Sequence, residues 1–353
     1  MKLTEDPIIV YPIDSFFVKP TDDNQIYSYY LLNEDTLIGS SYTKQTIEVF
    51  TKDRSVDTFY LAKSIEMPVY DKSSFFTYFE FNNKDLGVVY EDDIQKIFRL
   101  NRDFDIVDSF DVNFKFSYQT DIHEDKFWLQ NYVTTETGQI NDSILVVSIH
   151  HSFSGLQSNP NNTNVLFYNM NTRKASYENF YTFSQEILNR NYKGGIFPNM
   201  NFSHKEVLVY NTNLDSIYAY NYLTQQYRAF AFNNPFYQLY NDDFYIKIEG
   251  DTTNIDKKLW RENYFNKYLM TKGDEYTMLF YPAYKEHESL IHGMRFDSLG
   301  NSLQFYKLND NDYPGVKTFF ADDEYFYLYK HKKSLEQLAP IQIFKFRKDD
   351  FFQ

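Results

Sequence analysis

The chain has 353 residues, enough for a large core built either as two domains or as one repeat architecture. Phe, Tyr and Trp make up 20% of it, a composition that favours the pleated, half-buried surfaces of strands. A net charge of −14 argues against nucleic acid and anionic membrane surfaces as partners, and the absence of cysteine excludes disulfides, thiolate metal sites and cysteine nucleophiles.

At the N-terminus, "MKLTEDPIIVYPID" lacks the apolar core of a signal peptide, and no transmembrane-length apolar run follows anywhere. This predicts a cytoplasmic chain, or a periplasmic or cell-surface one if an export segment lies outside the sequence. Next, "IYSYYLL" (Ile26 to Leu32) leads into "NEDTLIGSSY", a polar turn ending in Asp35 followed by an apolar run. The same pattern returns at Asp85, Asp142, Glu206, Glu275 and Glu324, at intervals of 50, 57, 64, 69 and 49 residues. Six copies of a loose repeat account for the whole chain. Strand-like runs precede the acids, as in "FFTYFEF" (Phe75 to Phe81) and "KTFF" (Lys317 to Phe320). Hairpin patterns follow them at Thr46 to Ala62, Ile94 to Phe110, Asn164 to Phe180, Ser216 to Phe232 and Ile291 to Leu308.

The repeating unit is therefore four antiparallel strands. The predicted fold is all-β, a β-propeller of six four-stranded blades forming a single domain over residues 1–353. Seven blades are the alternative, because "NDDFYIKIEG" (Asn241 to Gly250) fits the pattern as well. It would create intervals of 37 and 32 residues, short for complete blades, and is assigned instead to the inner strand of the fifth. In the insertion that follows, Thr253 as a cap and the spacing of Ile255, Leu259 and Tyr268 predict a short helix. The last repeat stops after a third strand in "IQIFKFRKDDFFQ". The N-terminal "DPIIVYPIDSFFV" is available as the fourth and would close the ring without an exposed edge.

A ring of six tyrosine-rich blades closed in this way resembles the bacterial six-bladed propellers of TolB-like type. Within these it is most similar to a domain-of-unknown-function family found largely among lipoproteins. The similarity spans most of the chain and is greatest in "FFADDEYFYLYKHKKSLEQLAPIQIFKF" (Phe319 to Phe346). It implies the six-bladed fold and an envelope location, and it brings no catalytic residues. The lipid-attachment cysteine and signal peptide of such relatives have no counterpart in this sequence.

In a propeller, the loops from strand two to three and from strand four to the next blade share one face. Here those are the long ones: Phe116 to Trp128, His150 to Asn164, Tyr181 to Asn199 and Tyr281 to His292. The turns with the repeated acids lie on the opposite face and are short. The long-loop face is the expected binding face, with His123, Trp128, His150, His151, Tyr192, Tyr284 and His287 as candidate binding residues, and Tyr281 beside them. Aromatics with polar tips suit wet binding surfaces. His150 and His151, adjacent after a strand, point to opposite faces and cannot share one metal without carboxylates such as Asp121 or Glu124. His287-Glu288 with His292 has the wrong spacing for a zinc-protease helix, and "NDNDYPG" (Asn309 to Gly315) has Pro314 at a calcium-ligand position. Lys193 to Gly195 lack a phosphate-loop context, and the glycosylation sequons at Asn141, Asn161 and Asn201 are expected by chance in an Asn-rich chain. No metal or cofactor is expected.

The function expected is a non-catalytic binding or scaffold propeller recognising a protein, peptide or glycan. The alternative is a propeller enzyme, a glycan hydrolase or lyase with carboxylates and histidines converging in the central funnel. A structural part of a larger envelope complex is a third reading, which an apolar outer patch would reveal.

Overall fold

Strands form where the aromatic and β-branched runs fall. The computed structural model describes residues 6–19, 26–41, 46–68, 76–81, 85–90, 96–111, 127–129, 139–140, 144–151, 165–178, 198–202, 206–211, 216–232, 245–248, 252–255, 264–282, 291–308, 317–322, 324–330 and 340–353. The first strands are β1 (Ile8–Val10), β2 (Asp14–Val18), β3 (Ile26–Asn33), β4 (Thr36–Ser41), β5 (Thr46–Asp53) and β6 (Thr58–Glu66). Then come β7 (Phe76–Phe81), β8 (Asp85–Tyr90), β9 (Lys96–Leu100), β10 (Ile106–Asp111), β11 (Phe127–Leu129), β12 (Gln139–Ile140), β13 (Ile144–His151), β14 (Val165–Asn169) and β15 (Lys174–Glu178). The next are β16 (Pro198–Phe202), β17 (Glu206–Asn211), β18 (Ser216–Asn221), β19 (Gln226–Ala231), β20 (Tyr245–Ile248) and β21 (Thr252–Ile255). The last are β22 (Tyr264–Lys272), β23 (Glu275–Pro282), β24 (His292–Asp297), β25 (Ser302–Leu308), β26 (Lys317–Ala321), β27 (Tyr325–Lys330) and β28 (Ile341–Arg347), before a 3-10 helix over Lys348–Phe352.

The chain divides into two compact units, one of residues Asp14–Thr182 and Lys317–Lys345, the other of Met1–Ile13, Phe183–Val316 and Phe346–Gln353. In the first, β7 to β10 form a four-stranded antiparallel meander, and β13, β14 and β15 form another with β11 and β12 on its first edge. The remaining strands make one eight-stranded sheet in the order β26-β27-β28-β2-β6-β5-β4-β3. β2 is antiparallel to β28 and parallel to β6, so the N-terminal segment joins two four-stranded groups. Aromatic and aliphatic side chains from both groups, among them Phe16, Tyr29, Phe50, Phe59, Phe320 and Tyr327, pack into one core. In the second unit, β16 to β19 form a meander and β22 to β25 another, whose outer strand β25 pairs in parallel with β1.

Three second strands are covered on both faces. Val207 to Tyr210 in β17, Tyr276 to Phe280 in β23 and Phe326 to Tyr329 in β27 are all buried, with no alternation. That explains the uninterrupted apolar run in "ADDEYFYLYKH". Its acidic start is the turn itself: Asp322 accepts hydrogen bonds from the Glu324 and Tyr325 amides and from the Tyr327 hydroxyl.

The insertion before β22 departs from expectation. Thr252–Ile255 is a strand, not a helix N-terminus, and Tyr268 lies within β22. The β-branched Thr252, Thr253 and Ile255 outweigh a helical spacing carried by only a few positions. Leu259 lies outside the described residues. β20 pairs with β21 in a separate two-stranded sheet, so it is not the inner strand of the group that follows; that position belongs to β22.

The hairpins between third and fourth strands share a turn. Each opens on an Asx residue, Asp53, Asn101, Asn169, Asn221 or Asp297, whose side-chain oxygen accepts amide hydrogen bonds from residues further along the turn. Each then passes through a left-handed residue: Asp57, Phe104, Arg173, Gln225 or Gly300, with φ between 49° and 84°. The Asx side chain stands in for a turn of backbone, and the left-handed residue returns the chain into the outer strand.

Four of these turns, those of Asp57, Phe104, Arg173 and Gly300, meet the outer strand of the preceding four-stranded group. The Phe17 amide donates to the Asp57 carbonyl, and Lys63 in β6 bonds the Asp103 carbonyl and the Asp105 carboxylate. Arg173 lies 3.9 Å from Asp108 in β10, and Gly300 packs on the backbone of Ala231 in β19. The C-terminal 3-10 helix is anchored within the second unit: Phe351 is buried, its carbonyl accepts from Thr277, and Lys272 pairs with Asp349.

Candidate functional site

In an antiparallel meander, alternate connections lie at the same end, and here the two ends differ. Connections from first to second and from third to fourth strands are two to five residues long. Those at the opposite end run from 4 residues, between β4 and β5, through 13 between β13 and β14, to 19 between β15 and β16. Short turns at one end are consistent with stability alone, whereas long connections are seldom retained without use.

The short-turn end is held by ion pairs between the repeated acids and arginines of the same group. Arg54 donates through Nε and Nη2 to Asp35, whose carboxyl is held below its ordinary range by that hydrogen bond. Arg228 holds Glu206 at both carboxylate oxygens, at 3.2 and 2.9 Å, and also donates to the Tyr276 hydroxyl in the next group. Burial acts to lower the Arg228 pKa but is outweighed by the hydrogen bonds to Glu206 and Tyr276, so it stands above its usual value. Burial also raises the Tyr276 hydroxyl despite the adjacent guanidinium. These acids are occupied in holding turns and neighbouring strands together.

At the long-connection end the sequence candidates fall unevenly. His123, Tyr192, Tyr284 and His287 lie outside the described residues, as do Asp121 and Glu124. His150 and His151 are the last two residues of β13 and not the start of a loop, because pairing with β11 extends the strand to them. The register sets Trp128 directly opposite His150, and Phe127 opposite His151. Tyr281 belongs to β23 and is buried, so it is not a loop tyrosine. Asn201 is buried within β16 with its side-chain oxygen on the Phe202 amide, which leaves its sequon inaccessible.

The first edge of this sheet is split. β11 pairs with Ile149 to His151, and β12 with Ile144 and Leu145. Nine residues, 130–138, separate strands whose nearest partners on β13, Leu145 and Ile149, have only three residues between them. Sequence reading placed Trp128 at the end of a loop and missed this pairing, since a three-residue strand gives no periodic signal.

A second polar group at the same end of its sheet went unread. Glu48 in β5 is fully buried, and one of its oxygens accepts from the hydroxyls of Thr46 (2.7 Å) and Ser64 (2.9 Å). Thr46 is the register partner of Glu66, and Glu48 of Ser64, so the four share one face of the sheet. Both hydroxyls converge on the same carboxylate oxygen, Oε1, and so fix the orientation of this buried acid. No sequence signal marks it, because "TIEVF" reads as an ordinary strand. Among the described residues, no group of three or more His, Asp or Glu is placed to hold a metal ion, and no helix is long and apolar enough to cross a membrane.

No family model matches the chain, so the resemblance to TolB-like propellers is carried by the rhythm of the sequence alone. No curated protein matches it either. Among solved structures, the chain is similar to an exported-protein candidate from Bacteroides fragilis at 13% identity, with 95% of each chain covered and a TM-score of 0.49. It is similar to the Cps50 (Swd1) β-propeller domain of Myceliophteria thermophila at 8% identity, covering 94% of this chain and 99% of that one, with a TM-score of 0.45. With BamB from Moraxella catarrhalis the identity is 6%, the coverage 96% and 98%, and the TM-score 0.42.

Proposed function

We propose that the chain is a single six-bladed β-propeller domain over residues 1–353, closed by β2, and that it is a non-catalytic binding module. It recognises a protein, peptide or glycan at the end of its sheets that carries the long connections. The six groups are β3–β6, β7–β10, β11 to β15, β16–β19, β22–β25 and β26–β28 with β2. The recurring contact between an outer strand and the next group's hairpin turn supports reading them as successive blades. The observation that carries the binding assignment is the contrast in connection length between the two ends of the same sheets. An envelope location of the TolB-like kind belongs to the same proposal and rests on the resemblance.

The test is a thermal-shift screen against glycans, peptides and divalent metals, followed by shortening of the 152–164 connection. A ligand at one hundred times its Kd raises stability by about 2.7 kcal/mol. The shortened variant should melt like the parent and lose that shift. A ligand whose shift survives every shortened connection at this end would overturn the assignment.

A further inference from the structure

Among the described residues, exposed large apolar side chains are densest at the N-terminal strand. Ile8, Ile9, Tyr11 and Ile13 are 39%, 49%, 57% and 45% exposed, and Val10 is the one residue of this run that is buried. No residue from Pro7 to Ile13 is charged. β1 is also the last strand of its sheet: it pairs in parallel with β25, and no other described strand pairs with it. In a parallel ladder every second residue turns its N–H and C=O away from the partner, so β1 offers an edge to which a further strand can be added.

Charges usually guard such an edge; here the guards are Pro7 and Pro12, which lack an N–H at either end of Ile8 to Tyr11. They limit pairing to one short segment. Four half-exposed side chains supply roughly a few hundred Å², well short of the about 800 Å² that each partner gives to a stable dimer. A second copy would also bring a charge of −14 against a charge of −14. The exposed carboxylates Asp6 and Asp14 bracket the run in sequence, so the complementary partner has Lys or Arg at its ends and apolar residues between them.

We infer that β1 is a docking edge for an extended, basic-ended segment of another protein, added as a strand beside Ile8 to Tyr11. In this mode main-chain hydrogen bonds supply affinity, and apolar residues alongside Ile9 and Tyr11 supply selectivity. The segment's basic ends answer Asp6 and Asp14. None of these residues belongs to the long connections, so this surface does not depend on the binding assignment made above.

A displayed library of random nine-residue peptides, selected against the full-length protein, supplies the probes. Recovered peptides should carry alternating apolar residues with Lys or Arg near their ends, and should give a saturable change in fluorescence anisotropy. The double variant Ile9→Ser with Tyr11→Ser, at two exposed positions, should melt like the parent and bind the best of them about ten-fold or more weakly. Asp6→Lys, also at an exposed position, should weaken them as well, and hydrogen exchange at Ile8 to Tyr11 should slow in the complex. The inference is overturned if selection returns no binder, if the binders are acidic, or if they bind the folded variants as tightly as the parent. Sedimentation velocity that finds a dimer abolished by the double variant would overturn it in favour of a second copy. Flotation with phosphatidylcholine vesicles, lost in the same variant, would overturn it in favour of a lipid surface. Peptides that survive the double variant but are lost when the 152–164 connection is shortened would assign binding to the long-connection end and leave β1 without a ligand.

Discussion

Gly300 tests whether the hairpin turns truly lean on the preceding outer strand. Its φ is +84°, and a Cβ built there would lie 1.8 Å from the Ala231 carbonyl oxygen and 2.9 Å from the Ala231 carbonyl carbon. Both contacts are with backbone, so no rotamer change relieves them. Gly300→Ala therefore incurs about 1 kcal/mol or more for a left-handed alanine. To this is added about 1–3 kcal/mol for pushing the turn off β19. Gly273 supplies the control, with φ +61° and nothing within 4 Å of its built Cβ. Gly273→Ala should show the conformational cost alone. Equilibrium denaturation should thus find Gly300→Ala less stable than Gly273→Ala by about 1–3 kcal/mol. Hydrogen exchange should rise locally at Ala231 and at the β24–β25 turn. Equal losses in the two variants would refute the contact between Gly300 and the outer strand.

Tyr29 is almost fully buried between Phe50, Phe320 and Tyr329, and its hydroxyl has no hydrogen-bond partner among the described residues. Tyr29→Phe should leave stability unchanged or raise it by up to about 1 kcal/mol, and a loss of that size in denaturation would show a hidden partner. Arg228→Met should cost about 2–4 kcal/mol, because it strands the mostly buried Glu206 carboxylate; Arg228→Met combined with Glu206→Gln should recover part of that, and a double variant no better than the single would refute the pairing. Burial raises the pKa of Tyr29, Tyr168, Tyr218, Tyr276, Tyr306 and Tyr327 above the ordinary 10.0. Their contribution is complete below pH 10 and is lost as pH rises towards the folded-state values, so melting temperature should fall steeply above pH 10. Asp35, Asp53 and Asp297 are held below 3.8, chiefly by hydrogen bonds from Arg54, Ser55 and Asn301, and their contribution disappears as pH falls below that value. A melting temperature that stays flat from pH 9 to 11.5 would contradict the tyrosine burial.

Many of the strands were legible because burial on both faces leaves a direct trace in composition, whereas the division of the N-terminal segment into β1 and β2, and the separate β20–β21 pair, were not. Val207 to Tyr210 and Phe326 to Tyr329 are apolar at every position since neither face meets water. The repeated acids were legible for a related reason: a two- or three-residue turn between buried strands must be polar. The candidate site was much less so. Trp128 and His150 stand 22 positions apart, and only the register of a three-residue strand makes them partners. Glu48 was invisible because a single carboxylate in "TIEVF" looks solvent-facing until Thr46 and Ser64 are seen to hold it. The helix expected near Thr253 failed where β-branched side chains decided the local backbone.

The contact that repeats most regularly left no motif at all, and its chemistry explains why. At Phe17 it is a backbone hydrogen bond, at Lys63 an ammonium on a carbonyl and a carboxylate, at Asp108 a long ion pair, and at Ala231 the bare approach of a glycine. The placement recurs at these four turns while the residues differ, because the turn can reach the outer strand through its backbone or through a side chain. β1 follows the same logic. β28 runs into the 3-10 helix and has no hairpin to offer, and the outer strand β25 is instead met by Ile8 to Val10, pairing with Tyr306 to Leu308. On this account the N-terminal segment has two separable roles, β1 completing an outer edge and β2 completing a sheet. Polar substitution of Val10, the one buried residue of β1, should then loosen exchange along β25 while leaving β28 protected.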